Sequence, residues 1–218
     1  MNTLILQESE GIKISKDKIP FRWLTHHVSE IYINLLPKIN INNSSKIVIE
    51  FGAPGINEYV VDSVLGCSNI FIENFDFDKF YSLSTHERNL VLINEIKNNL
   101  ISIYQRRNSN IQDVQSIIST ADKVIETGFN LDIKISKLQK TTEDKTKKIE
   151  IHRILNSVVG EAWKCVVLNR KDSSIKEKWM TEVPDFLDRT DFFKKSKIQN
   201  NFYMIYGNTD RVTFKIEI

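Results

Sequence analysis

The chain has 218 residues, 41% of them hydrophobic and 27% charged, with a formal net charge of +2. Such a balance excludes a disordered polymer, because apolar content is high and net charge small, and it suits a chain that buries a substantial core. No run approaches the ~18 consecutive apolar residues of a membrane span, and MNTLILQESEG lacks the basic region of a secretory leader.

The two cysteines, Cys67 and Cys165, are too few for a disulfide framework, so a cytoplasmic location with reduced thiols is expected. The abundance of Asn, Ile and Lys matches an AT-rich bacterial coding bias and carries no mechanism.

The N-terminal third reads as strands and turns. Thr3 to Gln7 and Ile31 to Leu36 are short strand candidates, with His26 and His27 on extended chain pointing to opposite faces. Lys46 to Phe51 is clearer, because Ile47, Val48 and Ile49 are β-branched. That run breaks into Gly52-Ala53-Pro54-Gly55. A phosphate-cradling loop would continue with Lys and a hydroxyl, but Ile56 and Asn57 stand there, and Pro54 removes one amide. The glycines therefore mark a turn between strands, with Asn57 to Leu65 and Asn69 to Phe75 continuing the sheet.

The period then changes. Ser84 and Glu87 have the spacing of a capping box, and Leu90, Ile93, Ile96, Leu100 and Tyr104 follow at helical intervals. After RRNSN the pattern repeats through Ile111, Val114, Ile117, Ala121 and Val124 until Gly128 stops it. Two such helices predict an αα-hairpin. Beyond it the period returns to two at Leu131, Ile133 and Ile135, then in Ile149 to Leu155, Glu161 to Asn169, Asn201 to Tyr206 and Val212 to Ile218. Lys137 to Lys148 is polar enough for an exposed hairpin loop. Short links favour antiparallel pairing. The predicted class is α+β: antiparallel sheets with a central αα-hairpin packed on the sheet. The whole chain, 1–218, forms one domain with lobes at 1–83, 84–129 and 130–218.

Catalytic signatures are sparse. The four histidines form no H-x-x-x-H, no C-x-x-C occurs, and no metal or cofactor is expected. Cys165 and His152 would face each other across a hairpin centred between Val158 and Val159, close enough for a thiolate–imidazolium couple. Asp185, Asp188 and Asp191, spaced by three, read as the polar face of a short helix or turn rather than a glycosidase pair.

Charge placement is the more informative feature. Residues 47–78 contain six acids and no Lys or Arg, whereas residues 130–218 carry 18 basic and 13 acidic side chains, a surplus of five. Within the acidic stretch, Glu73, Phe75, Asp76, Phe77, Asp78 and Tyr81 interleave carboxylates with rings. A face of that kind attracts a basic protein over long range, holds it through desolvated rings and repels nucleic acid. The Lys137 to Lys148 loop has no aromatic residue on which a base could stack.

The expected function is a non-catalytic interaction domain, of the inhibitor or immunity type, that binds a basic protein partner and neither nucleic acid nor membrane. Alternatives are a small enzyme using Cys165 and His152, and a subunit of a larger assembly using the helix pair from Thr85 to Phe129.

Overall fold

Pro20 and Pro37 bracket the first helix. Pro20 fixes the entering φ at −51°, and Pro37 drives Leu36 to an extended ψ of 126°, so the helix ends at Leu35. This helix, α1 (Phe21–Leu35), replaces the strand expected at Ile31 to Leu36, and it carries His26 and His27 on a helix rather than on extended chain. Phe21, Val28, Ile31 and Tyr32 are fully buried at helical spacing, which outweighs the β-branched local composition.

The computed structural model describes residues 1–41, 43–52, 65–107, 111–180 and 192–218. Gly55, positions 57–64 of the strand expected at Asn57 to Leu65, and Asp185, Asp188 and Asp191 lie outside the described residues. The chain divides into two compact units, Met1–Asn130 and Leu131–Ile218. Helices and antiparallel sheets together define an α+β protein.

The first unit holds a three-stranded sheet in the order β1 (Thr3–Glu8), β2 (Lys46–Phe51), β3 (Cys67–Ile72). Both pairings are parallel, with Leu4 beside Ile47 and Ile49 beside Ile70. Antiparallel pairing, expected from the short links, fails here because α1 is the crossover that returns the chain to the same end of the sheet. Leu4, Leu6, Ile47, Ile49 and Ile70, all at most 2% exposed, share the face on which α1 packs.

β3 is shorter than expected: the chain turns after Ile72 and forms α2 (Phe77–Ser82). Ser84 caps α3 (Thr85–Arg107) as its sequence predicts, with the Glu87 carboxylate accepting from the Ser84 amide at 2.9 Å and from its hydroxyl at 2.6 Å. Helix α3 and α4 (Ile111–Glu126) pack against each other and against α1, and Tyr32 donates to the Ile117 carbonyl at 3.1 Å.

The second unit is two antiparallel sheets around one core. The larger has the path β4 (Leu131–Lys134), β6 (Lys147–Asn156), β7 (Gly160–Asn169), β8 (Ile175–Trp179), with the short β5 (Lys140–Thr141) also on β6. The smaller is β9 (Lys195–Gln199), β10 (Phe202–Tyr206) and β11 (Val212–Glu217), with β10 central. Ile149, Ile151, Trp163, Cys165, Val167, Tyr203, Ile205, Phe214 and Ile216 form the shared core.

The Lys137 to Lys148 segment is less open than expected. Leu138, in a 3-10 turn, is fully buried, and its carbonyl accepts from the Tyr203 hydroxyl at 2.5 Å. At one end of the core, the wholly buried Glu161 carboxylate takes Arg153 Nε at 2.9 Å, Arg153 Nη2 at 2.8 Å and Trp163 Nε1 at 2.8 Å.

Candidate functional site

Parallel strands present their carboxyl ends to one edge of the sheet, where open α/β folds place their ligands. In the first unit that edge comprises the end of β1 at Glu8 and Ser9, the end of β2 at Glu50, and the start of α1 at Pro20, Arg22 and Trp23. Together with the loop from Glu10 to Ile12 they line a crevice of about 640 Å³. Glu8 lies in register with Phe51 and Gln7 with Glu50, so the two carboxylates reach the crevice from opposite faces of the sheet. Three carboxylates, Glu8, Glu10 and Glu50, line it with one guanidinium, Arg22, and Trp23 is 40% exposed on the rim.

Two atoms give this crevice its chemical character. Ser9 is only 5% exposed, yet its Oγ has no hydrogen-bond partner, and neither has the buried Oε2 of Glu8. An unsatisfied buried polar atom costs about 1–3 kcal/mol, more when charged, so a donor arriving there recovers that loss. Gly52 shapes the neighbouring wall. Its φ is +79°, and an added Cβ would lie 2.9 Å from Phe77 Cε2 and 3.0 Å from Ile12 Cδ1. Both the backbone conformation and the close approach require glycine.

The acidic-aromatic stretch lies at this end of the unit, but its parts have separate tasks. Phe75 and Phe77, both half-buried, pack with Phe21, Phe51 and Phe80 at centroid distances of 4.8–5.7 Å, making one ring cluster. Asp76 is the cap of α2, accepting the Lys79 amide at 2.9 Å. Asp78 pairs with Lys18 at 3.3 Å, and the Lys18 ammonium also lies 4.7 Å from the Tyr81 ring centroid. Tyr81 donates to the Ile19 carbonyl at 2.8 Å, and burial, with the nearby charge of Glu8, pushes its phenol up to about 12. Glu73 is half-buried just past β3. Glu8, Glu10 and Glu50, which charge counting over 47–78 does not group, are the carboxylates the fold brings together. The signal in sequence was an acid at the end of each of two apolar strands.

The Cys165–His152 couple does not form. The hairpin closes through Ser157 to Val159: the Asn156 side chain accepts the amides of Val158 at 2.9 Å and Val159 at 3.0 Å, and Gly160 takes a φ of +60°. A three-residue loop shifts the register by one position from that of a Val158–Val159 turn, so Cys165 pairs with Ile151 and His152 with Lys164. Cys165 consequently faces the core, where burial pushes its thiol up to about 12. His152 faces the other side, with Nδ1 2.7 Å from Asp132 Oδ1 and Nε2 3.6 Å from Glu150 Oε2. Lys148 at 2.6 Å and Lys134 at 3.1 Å hold the Glu150 carboxyl down to about 2 against the opposing effect of burial. This is an ion-pair lattice on a sheet face.

His27 is buried between α1 and α3, with Asn89 as its hydrogen-bond partner. His86 is exposed in the first turn of α3, its ring 6.0 Å from Phe129. Among the described residues no group of three or more His, Cys, Asp or Glu is placed to hold a metal ion, and no helix is long and apolar enough to cross a membrane.

Comparison of the chain with protein-family models, with curated proteins and with solved structures finds no match in any of the three.

Proposed function

We propose that this protein is a non-catalytic interaction domain that binds a basic protein partner, of the kind an inhibitor or immunity protein covers, through the crevice at the carboxyl ends of β1 and β2. The observation that carries the reading is the buried Glu8 Oε2 and Ser9 Oγ, both without partners, beside Glu50 and Glu10. A lysine or arginine side chain supplies the donor and the positive charge those atoms lack, and the rim indole of Trp23 offers a face for its cation. Glu73 to Tyr81, the acidic-aromatic stretch of the sequence, is not among the residues that line this crevice.

The test is calorimetric titration of the full chain with a short oligo-arginine peptide at two ionic strengths. Glu8→Gln weakens binding by about tenfold or more, the scale of one charge-assisted hydrogen bond, and Glu50→Gln lowers the salt dependence. Equal affinity in wild type and the Glu8→Gln/Glu50→Gln double variant removes the crevice from the reading.

A further inference from the structure

The outer face of the smaller sheet in the second unit is assembled from all three of its strands. Tyr203, Ile205, Phe214 and Ile216 point into the core, so Phe202, Met204 and Tyr206 of the central strand β10 stand on the opposite face. Lys197 of β9 and Lys215 of β11 flank Met204 in one cross-strand row. Each lysine leans diagonally onto a ring: the Lys215 ammonium lies 3.7 Å from the Phe202 centroid and that of Lys197 5.3 Å from the Tyr206 centroid. Both lysines are exposed and the three apolar side chains half-buried. Lys195, the remaining lysine of the face, is paired with Asp210 at 3.0 Å, and Glu217, exposed and in register with Phe202, sets one carboxylate against Lys197 and Lys215.

We propose that this face is a stacking platform for single-stranded nucleic acid. Bases lie on Phe202 and Tyr206, and Lys197 and Lys215 swing outward on their flexible stems to meet the phosphates. Two rings on alternate outward positions of one central strand, flanked by cations on both neighbours, are the combination that sequence-tolerant single-strand binding needs. The rings are four residue steps apart along the strand, about 14 Å at the usual rise. The apolar element is therefore a flat track and not a pocket, which favours successive bases over a single peptide side chain. Cationic charge complements phosphate. The expectation against nucleic acid came from residues 47–78 and from the loop Lys137 to Lys148; this face contains neither. The proposal stands apart from the crevice of the first unit.

The experiment is fluorescence anisotropy of labelled ten-nucleotide oligothymidylate and oligouridylate with the full chain, between 50 and 200 mM salt. Phe202→Leu and Tyr206→Leu, which keep an apolar side chain on the strand, each weaken binding by about tenfold. Lys197→Gln and Lys215→Gln, exposed and neutral to folding, each reduce the log–log salt slope by about 0.7. Tighter binding of the uridylate assigns RNA, and tighter binding of the thymidylate assigns DNA. Urea midpoints of the ring variants check that they fold, and the lysine variants decide the matter if they do not. No saturable binding at 50 mM salt overturns the proposal, as does affinity that none of the four substitutions alters. Binding of an oligoglutamate peptide with the same variant dependence, and no binding of either oligonucleotide, makes an acidic protein segment the occupant and also overturns it.

Discussion

His27 makes the stability of the first unit depend on pH in a calculable way. It is 2% exposed, and burial, reinforced by the neighbouring charge of His26, pushes its imidazole from the ordinary 6.5 down to about 4. An unfolded chain takes up this proton near 6.5 and the folded one only near 4. Between those values the unfolded state binds more protons, so stability falls as pH falls. The full gap, at about 1.4 kcal/mol per pH unit, is worth about 3 kcal/mol, and the part crossed between pH 7 and pH 5 about 2 kcal/mol. Glu87 and Glu150, whose partners lower their carboxyl groups, titrate below this window. Glu95, raised by burial, works in the opposite sense but is common to wild type and variant and cancels between them.

Among the described residues the four α-helices lie within residues 1–130, so urea unfolding followed at 222 nm reports chiefly this unit. With a slope of about 2 kcal/mol per molar urea, the wild-type midpoint drops by about 1 M between pH 7 and pH 5. His27→Gln abolishes most of that drop, whatever it does to stability at pH 7. A variant that keeps the whole drop refutes the assignment to His27.

Two further outcomes rest on the second unit. Glu161→Gln removes the carboxylate that takes two N–H groups of the buried Arg153 guanidinium and costs about 3–5 kcal/mol, read as a urea midpoint from the near-ultraviolet tryptophan signal; a loss under about 1 kcal/mol contradicts the buried pair. Cys165, with its thiol pushed up to about 12, resists alkylation at pH 8 in the native protein while the half-buried Cys67 reacts, and both react in urea. Mass spectrometry that finds Cys165 modified as fast as Cys67 overturns its placement in the core.

Local rules carried most of the second unit. Alternation located β6, β7, β10 and β11, and the Ser84–Glu87 spacing located the start of α3, because each depends on residues a few positions apart. What escaped depends on distant partners. α1 resembles a strand over EIYINLL and becomes a helix because its apolar stripe meets β1 and α3; the bracketing prolines were the available sign. The parallel pairing of β1 with β2 escaped with it, since without the helix no crossover was available. Candidate sites were less legible. The crevice joins residues 8 and 50, and the platform joins three strands, so neither forms a contiguous motif. The His152 geometry turned on how many residues close one loop.

That loop has a consequence for insertion tolerance. The side chain of Asn156 and the left-handed Gly160 together count out three residues, and that number decides which half of β6 faces the core. One residue more or fewer between them, if the pairing slid to accommodate it, would send Glu150 and His152 inward and turn Ile149 and Ile151 out. Homologous chains that keep this hairpin should therefore vary freely in the identity of residues 157 and 158 while holding their number constant.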